Sequence, residues 1–453
     1  MGKYQAYEEY KNAGVDWLDD IPSHWSTPSL KMLIDVRDGT HETPSYVLQS
    51  ENSYPLVTSK DVTSGWLSFE QCKHISKDDY LSIIQRSKVE AGDILMPMIG
   101  TVGSPIVVKE SDEFAIKNLA LYKTSNNSNV NTSFLNYFLQ SYECDIQFKL
   151  EARGGVQNFV SLGTLRDLGF PKAPDKEQQK IANFLDHETA KIDTLIEKQQ
   201  QLITLLKEKR QAVISHAVSK GLNANAPMRD SGVEWLGEVP EHWIVKNYRY
   251  ATKIYRGKFG HRPRNDPAFY DGEYPFIQTG DVAQAGKTIT KYKQTLNERG
   301  ISVSQKFPAG TLVMAIAANI GDTAILDFEA YAPDSVVGFK PNIDVELEFL
   351  RYSLMAALPA LEQTSTQSTQ ANLNIDRIGT VSASFPPKNE QKEIVVQLDA
   401  LHEKYADIEL KAISGIELMK ERRAALISAA VTGKIDVRNW QASQLSNNDR
   451  EAV

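Results

Sequence analysis

Two cysteines, Cys72 and Cys144, are all that 453 residues contain, and no C-x-x-C occurs. Neither a disulfide framework nor a structural zinc site is therefore expected, and a reducing cytoplasm is the compartment that fits. A Walker-type phosphate loop, G-x-x-x-x-G-K-[ST], is missing. His187-Glu188 begins an H-E-x-x-H, but Lys191 stands where the second histidine is needed, so the zinc pair fails. No run of about 18 apolar residues exists, which predicts no transmembrane helix. The opening MGKYQAYEEYKNAG has no apolar core, so no secretory signal is expected. An excess of basic charge is missing as well. Acidic residues outnumber basic ones by 58 to 50, for a net charge of -8, which argues against a protein that coats nucleic acid by bulk charge. The remaining composition, 41% hydrophobic and 24% charged, excludes a disordered or collagen-like chain. The length suggests about three domains.

What is present is written twice. Residues 14–25 read GVDWLDDIPSHW and residues 232–243 read GVEWLGEVPEHW, so four of the six tryptophans sit in two copies of one motif. The correspondence continues. Tyr54-Pro55-Leu56-Val57 answers Tyr274-Pro275-Phe276-Ile277, and Asp61-Val62 answers Asp281-Val282. GDILMPMIGTVGSPIVV (92–108) answers GTLVMAIAANIGDTAIL (310–326), and Phe170-Pro171 answers Phe385-Pro386. KEQQKIANFL (176–185) answers NEQKEIVVQL (389–398), and KEKRQAVISHAVSKG (207–221) answers KERRAALISAAVTGK (420–434). A period this long, repeated twice, is not a solenoid. It predicts two similar lobes related by an approximate two-fold axis, on a chain that is permuted so that its ends can meet. The expected divisions are an N-terminal repeat segment (1–25), a first body (26–172) and a first long helix (173–222). A linker with the second copy of the motif (223–243), a second body (244–387), a second long helix (388–435) and a tail (436–453) follow.

β-branched runs punctuated by Gly and Pro, with helical spacing elsewhere, predict mixed α and β bodies. The segments after the Phe-Pro pairs differ. From 177 to 219 there is no Pro or Gly. Leu185, Ile192, Leu195, Leu202, Leu206 and Val213 fit steps of three and four, with Glu188, Gln199 and Lys209 at the other seam positions. The second copy places Leu398, Leu401, Tyr405, Ile408, Ala412, Met419 and Leu426 likewise, with Gly415 as a small residue. Each helix would span about 60 Å, too long to be covered by one small body. The two-fold repeat makes the other helix its partner, in an antiparallel coiled coil. Such a spacer suits a ligand with two separated half-sites.

Residues 244–306 carry twelve Lys or Arg against five Asp or Glu. Here Arg256, Lys258, His261, Arg262 and Arg264, with Lys287, Lys291 and Lys293 beyond, are candidates for phosphate and guanine contacts. Tyr248, Tyr250, Tyr255 and Phe259 interleave with them, and Gly257 and Gly260 would let a ligand approach the backbone. The equivalent stretch of the first body, 34–47, offers Arg37, Asp38, Thr40, His41 and Thr43, with Lys60 further on, as donors and acceptors rather than net charge. Residues 26–172 hold 14 Lys or Arg against 17 Asp or Glu. A second candidate loop precedes each Phe-Pro pair, with Arg153, Gln157 and Asn158 in one copy and Gln370 and Asn372 in the other. Asp266-Pro267-Ala268-Phe269-Tyr270 lacks the second proline of a methyltransferase D-P-P-Y and reads as a turn before an aromatic residue. Glu390-Gln391-Lys392 opens a helix, where Glu is favoured by the dipole. His24 and His242 recur beside Trp25 and Trp243 and suit packing or a partner contact. No active site is expected. A coiled-coil scaffold with two protein-binding lobes, or a self-sufficient methyltransferase, are the competing readings.

The duplicated G-V-[DE]-W-L-x-[DE]-[IV]-P-x-H-W, the paired F-P…E-Q segments, the KEKRQAVI and KERRAALI helix ends and the DGTHETP loop (38–44) together resemble the DNA-specificity subunit of Type I restriction–modification systems, over essentially the whole chain. The resemblance implies two target-recognition domains, each reading one half of a bipartite double-stranded DNA site. It implies helices that fix the half-site separation, and no cofactor on this chain. Two modification subunits would bring S-adenosylmethionine to an adenine in each half-site and flip that base. Two restriction subunits, using ATP and magnesium, could join them in phage defence.

Overall fold

The computed structural model describes residues 4–442 apart from 64, 101, 110–112, 126–128, 152–158, 364–372 and 374. Arg153, Gln157, Asn158, Gln370 and Asn372 lie outside the described residues. The chain forms two compact units, Met1–Gln199 with Ser414–Val453, and Gln200–Ile413. The division falls within the two long helices, Asp175–Lys220 and Lys388–Val431, so each unit takes part of both.

In the first unit, one four-stranded sheet has the order Ile106–Val107, Ile94–Pro97, Leu119–Lys123, Asp35–Asp38, antiparallel throughout. A second sheet sets Ser53–Val57 between Ala115–Ile116, in parallel, and Lys73–Ser76, antiparallel; Tyr46–Val47 adds to the outer edge of Lys73–Ser76. The second unit repeats the first sheet as Thr323–Leu326, Leu312–Ala315, Val336–Pro341, Thr252–Arg256, and extends it with Thr288–Ile289. Its second sheet keeps the central strand, Tyr270–Phe276, with Ala330–Ala332 parallel and Gln294–Leu296 antiparallel. The extra strand, Gln305–Phe307, here joins the opposite edge.

The apolar runs 92–108 and 310–326 have a simple cause. Ile94–Pro97 and Leu312–Ala315 are buried along their whole lengths. Because strand side chains alternate, Ile94 and Met96 enter one core and Leu95 another, and Leu312 and Met314 are separated from Val313 in the same way. A strand covered on both faces loses the polar alternation of a surface strand.

The long helices pair antiparallel within each unit. In the first, Arg423 bonds Asp193 at 2.9 Å, and Leu185 and Ile192 share a core with Leu426 and Ile427. In the second, Lys207 meets Glu409 at 3.5 Å and Arg210 meets His402 at 3.1 Å. On the second helix the expected seam holds: Leu398 is buried, and Leu401, Tyr405, Ile408 and Met419 are half-buried. On the first helix the seam departs from expectation after Ile192. Leu195 is 52% exposed and Leu202 37% exposed, while the inward positions are Ile196, Gln199, Ile203, Leu206, Arg210 and Val213. The step after each shared position is four residues, not three, so Leu195 and Leu202 leave the seam to Ile196 and Ile203. The polar inner positions change accordingly. Thr189 is buried and Arg210 half-buried, and Lys209 is exposed.

Candidate nucleic-acid interface

Each duplicated tryptophan motif is a two-stranded turn, Tyr10–Val15 with Leu18–Pro22 and Met228–Asp230 with Glu238–Pro240. Behind it, Trp25 and Trp243 are both 1% exposed. The first Glu of each long helix receives the motif. Glu177 accepts from Trp25 Nε1 at 3.3 Å and pairs with His24 at 2.9 Å, and the Tyr7 hydroxyl also donates to it. Glu390 accepts from Trp243 Nε1 at 3.1 Å and pairs with His242 at 2.9 Å. Glu390 is therefore a specific acceptor as well as a favourable charge at a helix start. The next residues, Gln178 and Gln391, are fully buried and tie their helices to the bodies through Asn131 N and Glu346 N, at 2.9 and 2.8 Å. The repeated E-Q thus fastens each body to its helix, and each of the repeat's histidines bonds the same glutamate as the neighbouring tryptophan.

Gly433, at positive φ, closes against Pro22 and Trp25, as Gly221 closes against Trp243 and Glu390. In the first unit this junction joins segments far apart in the sequence. Asp436 N donates to Gln5 O at 2.8 Å, Tyr10 to Gly433 O at 3.0 Å, and Trp440 packs edge-on to Phe184.

The variable loops meet at a second duplicated device. Strands Asp35–Asp38 and Thr252–Arg256 end at Gly39 and Gly257, where the chain crosses a neighbouring segment. A Cβ on Gly39 would lie 2.3 Å from Ile116 O, and one on Gly257 1.9 Å from Pro333 O. The requirement for glycine here comes from the protein's own backbone, not from an approaching ligand as expected for Gly257. At Gly260 a Cβ would meet Val303 O at 3.6 Å, an ordinary contact, so no such requirement holds there. The crossing is pinned by Gly39 N to Leu119 O and Thr40 N to Ile116 O in one lobe. Gly257 N to Val336 O and Lys258 N to Ala332 O pin it in the other. Between the anchoring carbonyls lie Lys117 and Asn118 in the first lobe, and Pro333, Asp334 and Ser335 in the second.

In the first lobe, Asp38 was an expected contact, but it is 4% exposed. Its carboxylate is consumed internally by Arg86 and by His41 Nε2 at 2.9 Å. A carboxylate is buried here only because it is paired. His41 is held on its other nitrogen by Asn118, which has a φ of 55°. Arg37 bonds Asp35 and Arg86 O, and Thr43 receives the Lys117 ammonium. Thr40 is half-buried and Lys60 exposed. Lys60 sits on a turn closed by Asp61, which accepts from Thr58 N and Oγ1 at 2.8 Å each. A cleft of about 670 Å³ opens beside it, lined by Lys60, Lys73, Lys117, Asn118 and Tyr46 among others. Lys73 and Lys117 escaped the sequence reading because they are scattered singly along the chain, and only the crossing assembles them.

In the second lobe, Arg256, Lys258, Arg262, Arg264, Lys291 and Lys293 are exposed. Arg262 donates to Phe259 O and His261 O at 2.8 and 2.9 Å, and Arg264 pairs with Asp334 at 2.5 Å. His261 stacks on Phe269 with centroids 4.0 Å apart and bonds Asp266. Among the interleaved aromatics, Tyr248 and Phe259 belong to the core, while Tyr250 is 65% exposed. Asp266 caps the turn Pro267–Phe269 before Tyr270, as expected of that segment.

Lys287 has a different place from the one expected. Its ammonium binds Asp399 of the second long helix at 2.7 Å and Glu348 at 2.9 Å. Burial opposes the charge, but these two carboxylates outweigh it and raise the lysine pKa. Tyr352 and the 4%-exposed Arg351 complete the cluster, with Arg351 donating to Gly286 O at 2.8 Å. Beside it His402 is pushed down to about 4, first by burial and then by Arg210 and Arg351. Lys287 therefore secures the body to the helix. The cysteines offer no thiolate chemistry: burial, then Asp61, pushes Cys72 up to about 12, and burial holds Cys144 well above its ordinary value. Among the described residues, no group of three His, Cys, Asp or Glu side chains could hold a metal ion. Among those residues, too, no helix is long and apolar enough to cross a membrane.

A family model described as the Type I restriction modification DNA specificity domain matches residues 22–205 and 258–418. A solved chain from a study described as "Structural basis underlying complex assembly and conformational transition of the type I R-M system" is similar in fold. It has a TM-score of 0.68 at 15% identity, over 92% of this chain and 99% of that one. The HsdS subunit from Thermoanaerobacter tengcongensis aligns at 16% identity over 92% and 98%, with a TM-score of 0.49.

Proposed function

Since the chain belongs to the Type I restriction–modification DNA-specificity family, we propose that each lobe reads one half of a bipartite double-stranded DNA site. The paired helices set the separation of the halves. The observation that carries this is the duplicated crossing at Gly39 and Gly257. One framework in both lobes presents loops of different chemistry, Lys60, Lys73 and Lys117 in one and Arg256, Lys258, Arg262, Arg264, Lys291 and Lys293 in the other. Loops that differ on a shared frame are what two different half-sites require.

This chain performs no catalysis in that scheme. Two modification subunits supply S-adenosylmethionine-dependent methylation of a flipped adenine, and restriction subunits supply ATP-driven cleavage, in the cytoplasm. The chain acts as their scaffold. Partner subunits then provide much of the attraction to phosphate, which accommodates a net charge of -8.

The test is to replace residues 26–172 with the corresponding body of another family member and determine the site methylated by the reconstituted complex. One half-site changes and the other stays. If both halves change together, the independent-lobe reading fails. The purified chain alone binds no S-adenosylmethionine in this scheme, and stoichiometric binding would restore the methyltransferase reading.

A further inference from the structure

Asp334 stands in the three-residue bridge of the second lobe, facing its most basic loop. Its Oδ2 meets Arg264 Nη2 at 2.5 Å and Arg262 Nη2 at 3.7 Å. Its Oδ1 is buried and meets no donor among the described residues. Both arginine side chains remain about half exposed, at 48% and 58%. Arg262 is further fixed by the carbonyls of Phe259 and His261, and the Tyr270 hydroxyl holds the Arg264 carbonyl. Beneath the loop, Phe259, Phe269, Tyr270 and Phe276 form an aromatic cluster. The two guanidinium groups are thus held in place before any ligand arrives.

We propose that Asp334 is a positioning residue that holds Arg262 and Arg264 for the edge of a guanine in the half-site read by the second lobe. The inference rests on the DNA-reading role proposed above and names what that lobe reads. A guanidinium has five N–H donors, and the contact to Asp334 leaves Arg264 others to offer. A phosphate on the same cation would stand close to a carboxylate of like charge, which disfavours it. The O6 and N7 of guanine are neutral acceptors at the spacing of the guanidinium fork, whereas adenine presents an amino donor at that edge. An anchored fork also loses less freedom on binding than a free one.

The test uses the chain reconstituted with its modification partner and a DNA library randomised across the half-site that body exchange assigns to the second lobe. The variants are Arg264→Ala, Arg264→Lys, Asp334→Asn and Asp334→Ala, and binding is also followed against salt. The wild type prefers guanine at one position or more, by roughly tenfold or above. Arg264→Ala and Arg264→Lys abolish that preference with little change in the salt slope, because lysine keeps the charge but not the fork. Asp334→Asn, nearly isosteric, reduces discrimination at the same position while leaving the rest of the site intact. Several results would overturn the proposal. One is Arg264→Ala lowering the salt slope by about one with base preference unchanged, which marks a phosphate contact. Another is Asp334 variants tightening binding to all sequences equally, which marks a merely neutralising carboxylate. A wild-type complex with no preference in that half-site overturns the lobe-reading premise itself, a result separate from the other two.

Discussion

The two lobes share a backbone device and invert its charge. At the crossing, the first lobe puts its acid, Asp38, at the strand end and its base, Lys117, in the bridge. The second puts Arg256 at the strand end and Asp334 in the bridge. In each arrangement the carboxylate is held by bases of its own lobe, Asp38 by Arg86 and His41 and Asp334 by Arg264. A frame can therefore be duplicated without duplicating what it presents. The ion pairs at each crossing stay within one lobe, so the lobes can diverge independently.

The anchoring glutamates give the largest expected break in the symmetry. Glu177 is 6% exposed and serves three donors, whereas Glu390 is half-buried and serves two. Glu177→Ala is expected to cost about 3 kcal/mol and Glu390→Ala about 1–2 kcal/mol, read by urea denaturation. Equal losses would show that the third donor, Tyr7, contributes nothing. Next comes the strand end. Asp38→Ala takes the carboxylate from Arg86 and leaves His41 only Asn118, and costs about 1–3 kcal/mol. The counterpart Arg256→Ala stays within about 0.5 kcal/mol in stability and shows its effect in DNA affinity instead.

Salt dependence separates the lysines. Removing Lys291 or Lys293 lowers the slope of log K against log salt by about one each if they meet phosphates. Lys287→Ala lowers stability and leaves the slope unchanged, because its charge is already bound by Asp399 and Glu348. A change in slope for Lys287 would return it to the DNA-binding surface.

Acid should also distinguish the units. His402 is held neutral, near 4, so the unfolded chain takes up its proton near the ordinary value of about 6.5 and the folded chain does not. The second unit is at full strength above that pH and loses about 1 kcal/mol as pH falls from 6.5 towards 4, after allowance for solvent screening. His402→Gln flattens that part of the profile. The first unit, with Thr189 at the matching place, lacks this contribution. The smallest effect belongs to Ala318, which has a φ of 61° where the first lobe has Gly100 at 82°. Ala318→Gly should change stability by under about 1 kcal/mol, in the stabilising direction, as relief of strain outweighs added chain freedom.

How much of this was legible follows from the physics of each residue. The repeat, the lobes and both long helices could be read because periodicity and Trp spacing are local. The seam of the first helix misled because Leu195-Ile196 and Leu202-Ile203 are adjacent apolar pairs. Either member fits a heptad, and only the partner helix chooses between them. Asp38 and Lys287 looked like surface contacts because ion partners 48 and 112 residues away leave no local trace. Arg262 and Arg264 were visible as charge, but Asp334, 70 residues from Arg264, was not.

The junction at Gly433 also has a meaning in time. Residues 433–440 pack with residues 5–25, so the first unit needs residues as distant in the sequence as Tyr10 and Gly433, 423 positions apart. The second unit has all of its residues by position 413. On the ribosome, where domains fold as their residues emerge, the lobe encoded second is therefore completed first. The lobe encoded first waits, with Trp25 lacking its cover, until residues 433–440 have emerged.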